Sequence, residues 1–102
     1  MTWQQVGVLA DLDDNYPTAC KVAGVPIALY KVGNDVCATS NLCTHGQALL
    51  SDGYQEDGVI ECPLHQGRFD IRTGRALCAP LAIDLQVYPV ELRDAEIWVE
   101  LT

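Results

Sequence analysis

Apolar and polar positions alternate at both ends of this chain and lose that order in the middle. Residues 3–8 read as a first strand. Leu9-Ala10-Asp11-Leu12-Asp13-Asp14-Asn15 is a polar, acidic connection with room for one short helical turn. Residues 18–22 and 25–32 predict two strands joined at Ala23-Gly24. Gly33-Asn34 is a turn dipeptide, after which 36–40 resumes as a strand. Past residue 80 the two-residue period returns over 86–92, where Pro89 suits a sheet edge or a bulge. Arg93-Asp94-Ala95 turns, and 96–101 alternates again. No stretch keeps a 3.6-residue period for ten residues, so the pattern predicts an all-β fold with a meander of short antiparallel strands.

The middle is different. Glycines at 46, 53, 58, 67 and 74, with Pro63 and Pro80, break up residues 41–80. Only 58–61 and 67–70 read as short strands there. A loop-rich stretch of this length inside a compact domain usually carries function. The expected organisation is one domain, 1–102. Residues 1–40 and 81–102 form an antiparallel β-sandwich or partly open barrel, and 41–80 form an inserted, loop-rich subdomain.

Both histidines of the chain fall in that insert, each beside a cysteine: Cys43-Thr44-His45-Gly46 and Cys62-Pro63-Leu64-His65-Gln66-Gly67. Proline at the second position and glycine at the fourth favour tight turns, which bring thiol and imidazole together. Cys43, His45, Cys62 and His65 are therefore the candidate metal ligands. A structural zinc site is one possibility, although such sites usually pair Cys with Cys and His with His. The mixed pairing suits two metal atoms better, with each loop giving its cysteine to one iron and its histidine to the other.

The spacing Cys-x-His-x16-Cys-x2-His, and the run Cys62-Pro63-Leu64-His65-Gln66-Gly67-Arg68-Phe69-Asp70, resemble the Rieske iron–sulfur family. More narrowly, they resemble the small Rieske ferredoxins of multi-component bacterial aromatic-ring-hydroxylating dioxygenases, the naphthalene and biphenyl type. Thr73-Gly74-Arg75-Ala76-Leu77-Cys78-Ala79-Pro80 adds to the naphthalene likeness. The resemblance implies a Rieske-like fold with 41–80 binding the cluster. It also implies one [2Fe–2S] cluster on Cys43, His45, Cys62 and His65, and a soluble one-electron carrier. Such a carrier takes electrons from a flavin-containing NAD(P)H-dependent reductase and passes them to a terminal oxygenase. An accessory subunit of the assimilatory nitrite reductase type is the alternative.

Two neutral imidazoles in place of two thiolates make the oxidised centre neutral. This raises the potential from about −400 mV into the range of about −150 to +300 mV. High-potential Rieske proteins carry an extra cysteine in each ligand loop and join them in a disulfide. Ala48 and Leu64 stand at those positions here, and Gln66-Gly67-Arg68 replaces the expected hydroxyl donor. Fewer hydrogen bonds to sulfur place the potential near about −150 mV. The resemblance further implies that the imidazole N–H groups titrate more easily in the oxidised state, lowering the potential in alkali. Gly46 and Gly67 read as close-approach glycines beside the cluster.

The remaining numbers narrow the partners. A net charge of −8 disfavours nucleic acid and anionic membrane and favours a basic partner. Asp52, Glu56, Asp57 and Glu61 are a candidate docking patch, and Arg68, Arg72 and Arg75 are candidates for ion pairs with Asp70 or Asp52. Five cysteines without a basic-then-apolar leader read as reduced thiols in a cytoplasm, and the resemblance implies a monomer. Cys20, Cys37 and Cys78 read as small apolar residues, and Trp3 and Trp98 as core or edge packing. The oxygenases of the family add a mononuclear iron held by two histidines and a carboxylate. With both histidines committed to the cluster, this chain reads as an electron carrier and not an enzyme.

Overall fold

The computed structural model describes residues 2–44, 46–64, 66–78 and 83–101. Ten strands lie in these residues: β1 (Thr2–Val8), β2 (Thr18–Val22), β3 (Val25–Val32), β4 (Asp35–Ser40), β5 (Tyr54–Glu56), β6 (Val59–Glu61), β7 (Arg68–Asp70), β8 (Val87–Tyr88), β9 (Val90–Arg93) and β10 (Glu96–Leu101). Short 3-10 turns at Leu9–Asp11 and Leu50–Asp52 are the only helical pieces among them. The strands form three antiparallel sheets, ordered β1-β10-β9, β2-β3-β4-β8 and β5-β6-β7. The all-β expectation is thus met.

Turn chemistry sets the registers. Ala23 and Gly24 both have positive φ (51° and 81°), as do Asp57 and Gly58 (51° and 79°). This is the type I′ geometry whose twist matches a two-residue hairpin. It pins Val22 opposite Val25 and Glu56 opposite Val59. Pro89 separates β8 from β9, so one alternating segment of sequence serves two sheets.

Strand β3 is the wall of the molecule. Ile27, Ala28, Leu29 and Tyr30 are all essentially buried, and they alternate between two cores. Ile27 and Leu29 join Val22, Ala38, Ile97 and Val99 between the four-stranded sheet and the β1-β10-β9 sheet. Ala28 and Tyr30 face the other way, joining Leu50, Ile60, Phe69, Ile71, Leu85 and the two cysteines Cys43 and Cys62. A strand covered on both faces needs a near-continuous apolar run, and Val25-Pro26-Ile27-Ala28-Leu29-Tyr30 is one. The one deeply buried hydroxyl pair along this wall is satisfied. Thr39 Oγ1 donates to the Ser40 carbonyl at 2.8 Å and accepts from the Tyr30 hydroxyl at 2.8 Å.

Half-exposed Trp3 and Trp98 lie on the terminal sheet. The Arg93 guanidinium stacks 4.2 Å from the Trp98 ring centre and 5.9 Å from that of Trp3, which agrees with edge packing.

Candidate metal centre

Each candidate ligand loop is the end of a narrow antiparallel ladder. In the first, Leu50 N–H donates to the Asn41 carbonyl, Leu42 bridges Leu49, and Cys43 N–H donates to the Ala48 carbonyl at 3.0 Å. In the second, β6 and β7 pair through Glu61 and Arg68, and Cys62 N–H donates to the Gly67 carbonyl at 2.7 Å. Both cysteines thus occupy the last paired rung, and a four-residue tip follows each, 44–47 and 63–66. One histidine belongs to each tip. His45 and His65 themselves lie outside the described residues.

The base of the first ladder is held by a buried asparagine. Asn41, 2% exposed, donates from Nδ2 to Ser51 Oγ at 3.0 Å and accepts the Ser51 N–H on Oδ1 at 2.8 Å. The second tip returns through Gln66 in the left-handed region (φ 56°). Leu64 leans on the first tip, with its Cδ1 4.0 Å from where a Cβ on Gly46 would stand. At the positions where a disulfide joins the loops of high-potential Rieske proteins stand two apolar side chains, Ala48 and Leu64. Ala48 is buried, Leu64 is exposed, and all five cysteines are free thiols.

The cysteines converge. Cys43 and Cys62 are 5% and 1% exposed, and their sulfurs lie within hydrogen-bonding reach. Burial, and then the hydrogen bond to Cys43, push the Cys62 thiol up to about 11, while the Leu64 N–H aimed at its sulfur pulls the other way. Two sulfurs pressed together in an apolar core, with an N–H directed at one of them, fit a site whose charge is balanced by bound metal. Two thiols on paired rungs, with one histidine in the sequence of each tip, suit the donor set of a [2Fe–2S] centre with mixed ligation.

Other expectations are redrawn. Arg72 pairs with Asp35 (2.6 Å) and Arg68 with Glu61 (3.8 Å), not with Asp70 or Asp52. Cys20, Cys37 and Cys78 are half-buried, and burial pushes the Cys20 and Cys37 thiols up. Glu56 and Asp57 sit at the turn of the β5–β6 hairpin, the end away from Cys62, about 10 Å along β6. Among the glycines whose surroundings are described, which do not include Gly67, Gly53 and Gly74 have no room for a side chain. A Cβ on Gly53 would overlap the Glu61 carbonyl oxygen, and one on Gly74 (φ 78°) the Leu85 carbonyl oxygen. Neither signal is readable without knowing which distant carbonyl comes close.

Surrounding the tips is an apolar rim: Leu42, Leu49, Leu64, Leu77 and Ile83 are 41–64% exposed. The segments 41–51, 62–67 and 76–83 contain no Asp, Glu, Lys or Arg. In an acidic protein, the segments that carry the candidate centre are thus uncharged.

The Rieske [2Fe-2S] domain family matches residues 2–89. The chain is 46% identical over 99 residues to the ferredoxin component of the naphthalene 1,2-dioxygenase/salicylate 5-hydroxylase systems of Ralstonia sp, covering 97% of this chain and 95% of that protein. It superposes on the Sphingomonas yanoikuyae B1 ferredoxin with a TM-score of 0.94 at 38% identity, over 99% of this chain and all of that one. A ferredoxin solved in complex with the reduced oxygenase of carbazole 1,9a-dioxygenase aligns at TM-score 0.89 and 37% identity, over 95% and 91% of the two chains. With its motif, its paired hairpins and its near full-length likeness to these proteins in agreement, the chain belongs to the Rieske [2Fe–2S] family, among its small ferredoxins.

Proposed function

We propose that this chain is the electron carrier of a multi-component aromatic-ring dioxygenase. It takes single electrons from a flavin-containing NAD(P)H-dependent reductase and delivers them to a terminal oxygenase. The observation that carries this reading is the conjunction of two converging buried cysteines with an uncharged, apolar end at the same tips. The likeness to ferredoxin components of naphthalene-type systems, and to a ferredoxin complexed with its oxygenase, supports it.

The [2Fe–2S] cluster of the family supplies, when bound, a one-electron couple. Cys43 and Cys62 would hold one iron from the rigid rungs, and His45 and His65 the other from the tips. The Leu64 N–H donates to the Cys62 sulfur and so offsets thiolate charge. The apolar wall of Tyr30, Leu50, Ile60 and Phe69 excludes water from the inner side. The outer side is the exit. Leu42, Leu49, Leu64, Leu77 and Ile83 offer a partner a surface that can be dehydrated at little electrostatic cost. No helix among the described residues is long and apolar enough to cross a membrane.

The test is direct. Purified protein should be reddish-brown, contain iron and acid-labile sulfide in equal amounts, and show EPR of mixed nitrogen and sulfur ligation when reduced. Cys43→Ser, Cys62→Ser, His45→Ala and His65→Ala should each lose that signal. A colourless protein carrying zinc refutes the cluster reading. With a reductase and a naphthalene-type oxygenase, transfer should depend on added protein. Leu77→Asp, on the exposed rim and outside both ligand loops, should raise the apparent KM toward the oxygenase while leaving the visible spectrum unchanged.

A further inference from the structure

Residues 83–86 belong to no strand, yet each ties to a different part of the molecule. The Ile83 carbonyl accepts the Thr44 hydroxyl at 2.8 Å. Asp84 Oδ1 accepts the Ala76 N–H at 2.8 Å. Leu85 N–H donates to the Gly74 carbonyl at 2.7 Å, and the Gln86 carbonyl accepts the Ser40 N–H at 2.9 Å. Together they form a seam joining the end of β4, the turn after β7 and the first ligand hairpin. The seam has little slack. Leu85 is buried in the core beneath the cysteines, and Gly74 approaches it so closely that no side chain fits.

The Thr44 bond is unlike the other three. Those tie scaffold to scaffold, whereas Thr44 stands at the tip of the first hairpin, between the expected ligands Cys43 and His45. Among the described residues, the tip 44–47 makes no other hydrogen bond outside its own hairpin. Threonine is stiff about χ1, so fixing its oxygen fixes its Cα. The planar peptides on either side then carry that constraint to residues 43 and 45.

We infer that Thr44 is a positioning residue for the metal centre, holding the first ligand hairpin against the seam, and that Asp84 supports it by fixing the Ile83 carbonyl. The inference rests on Cys43 and His45 being ligands, and its test separates the two questions. Holoprotein is compared with Thr44→Val, Thr44→Ser, Asp84→Ala and the Thr44→Val/Asp84→Ala double variant. The readouts are chelator-driven bleaching of the visible absorbance, the EPR linewidth of the reduced protein and the midpoint potential.

Loss of one such hydrogen bond should speed bleaching roughly three- to ten-fold in Thr44→Val. The EPR lines should broaden and the potential should shift. Thr44→Ser, which keeps the hydroxyl, should return all three toward wild type. Asp84→Ala should reproduce the broadening at smaller size, so the seam can be judged even if Thr44→Val does not fold. The double variant should be little worse than Thr44→Val, because both act on one contact. Wild-type linewidth and bleaching in Thr44→Val, a Thr44→Ser no better than Thr44→Val, or additive losses in the double variant would each overturn the inference. A Cys43→Ser protein that keeps the wild-type cluster signal would instead overturn the ligand reading beneath it.

Discussion

Replacing Gly53 by alanine should damage the second ligand hairpin without touching a ligand. Gly53 sits at φ −91° and ψ −165°, extended backbone that alanine adopts freely, so the obstacle is space alone. The added Cβ would overlap the carbonyl oxygen of Glu61 and come 3.2 Å from that of Leu50. Both obstacles are backbone, so no rotamer can relieve them. Restoring ordinary contact requires the strands to part by about 1 Å or more. Such overpacking costs roughly 1–3 kcal/mol, and the upper half applies because two strands must separate. For a domain of this size that corresponds to a fall in Tm of about 10–20 °C. Glu61 immediately precedes Cys62, so the displacement falls on a proposed sulfur ligand. Thermal unfolding followed by circular dichroism, with iron and sulfide content, measures both effects. Gly7→Ala is the control: its Cβ meets nothing within 4 Å, and stability should stay within about 0.5 kcal/mol or rise slightly. A Gly53→Ala protein with wild-type Tm and full cluster content would refute the reasoning.

Three further outcomes are expected. Asn41→Ala leaves the Ser51 N–H without its partner at the base of the first hairpin, and should cost about 1–3 kcal/mol in urea titrations. Burial raises the native Cys20 and Cys37 thiols above 9.0 and the Tyr30 phenol above 10.0, so the unfolded chain releases these protons first. Stability should therefore be full below about pH 9 and fall as pH rises past it, with a shallower slope in Tyr30→Phe. Arg72→Ala removes an exposed pair with Asp35, and the small loss in urea midpoint should vanish in high salt.

Strands β2 and β3 are read correctly from sequence because their alternation is clean and their two-residue turn permits one register. The fourteen residues from 41 to 54 are harder, because the first hairpin inverts the usual rule. Asn41, Cys43 and Ala48 are buried while Leu42 and Leu49 face out. A polar residue inside and apolar residues outside erase the period, so a paired ladder reads as loop. The short strand β5 is lost for a related reason, since Tyr54 is 67% exposed beside a half-buried Gln55. The ligand motif survives because it depends on residue identity and spacing, not on periodicity. Arg72 and Asp35 are 37 positions apart, a separation at which charge matching by sequence has no power.

Placing Cys43 and Cys62, the proposed sulfur donors, on the last rung of ladders that close by their own hydrogen bonds has a consequence for biogenesis. Cys43 and Cys62 sit in a core built largely from Tyr30, Leu50, Ile60 and Phe69, so the metal-free polypeptide is expected to keep its β-sheet circular dichroism. Small zinc modules, by contrast, stay unfolded without metal. Cluster loading is then expected to follow folding, onto hairpins already closed by their own hydrogen bonds. Its rate should then depend on access to the buried Cys43 and Cys62 thiols and not on chain collapse.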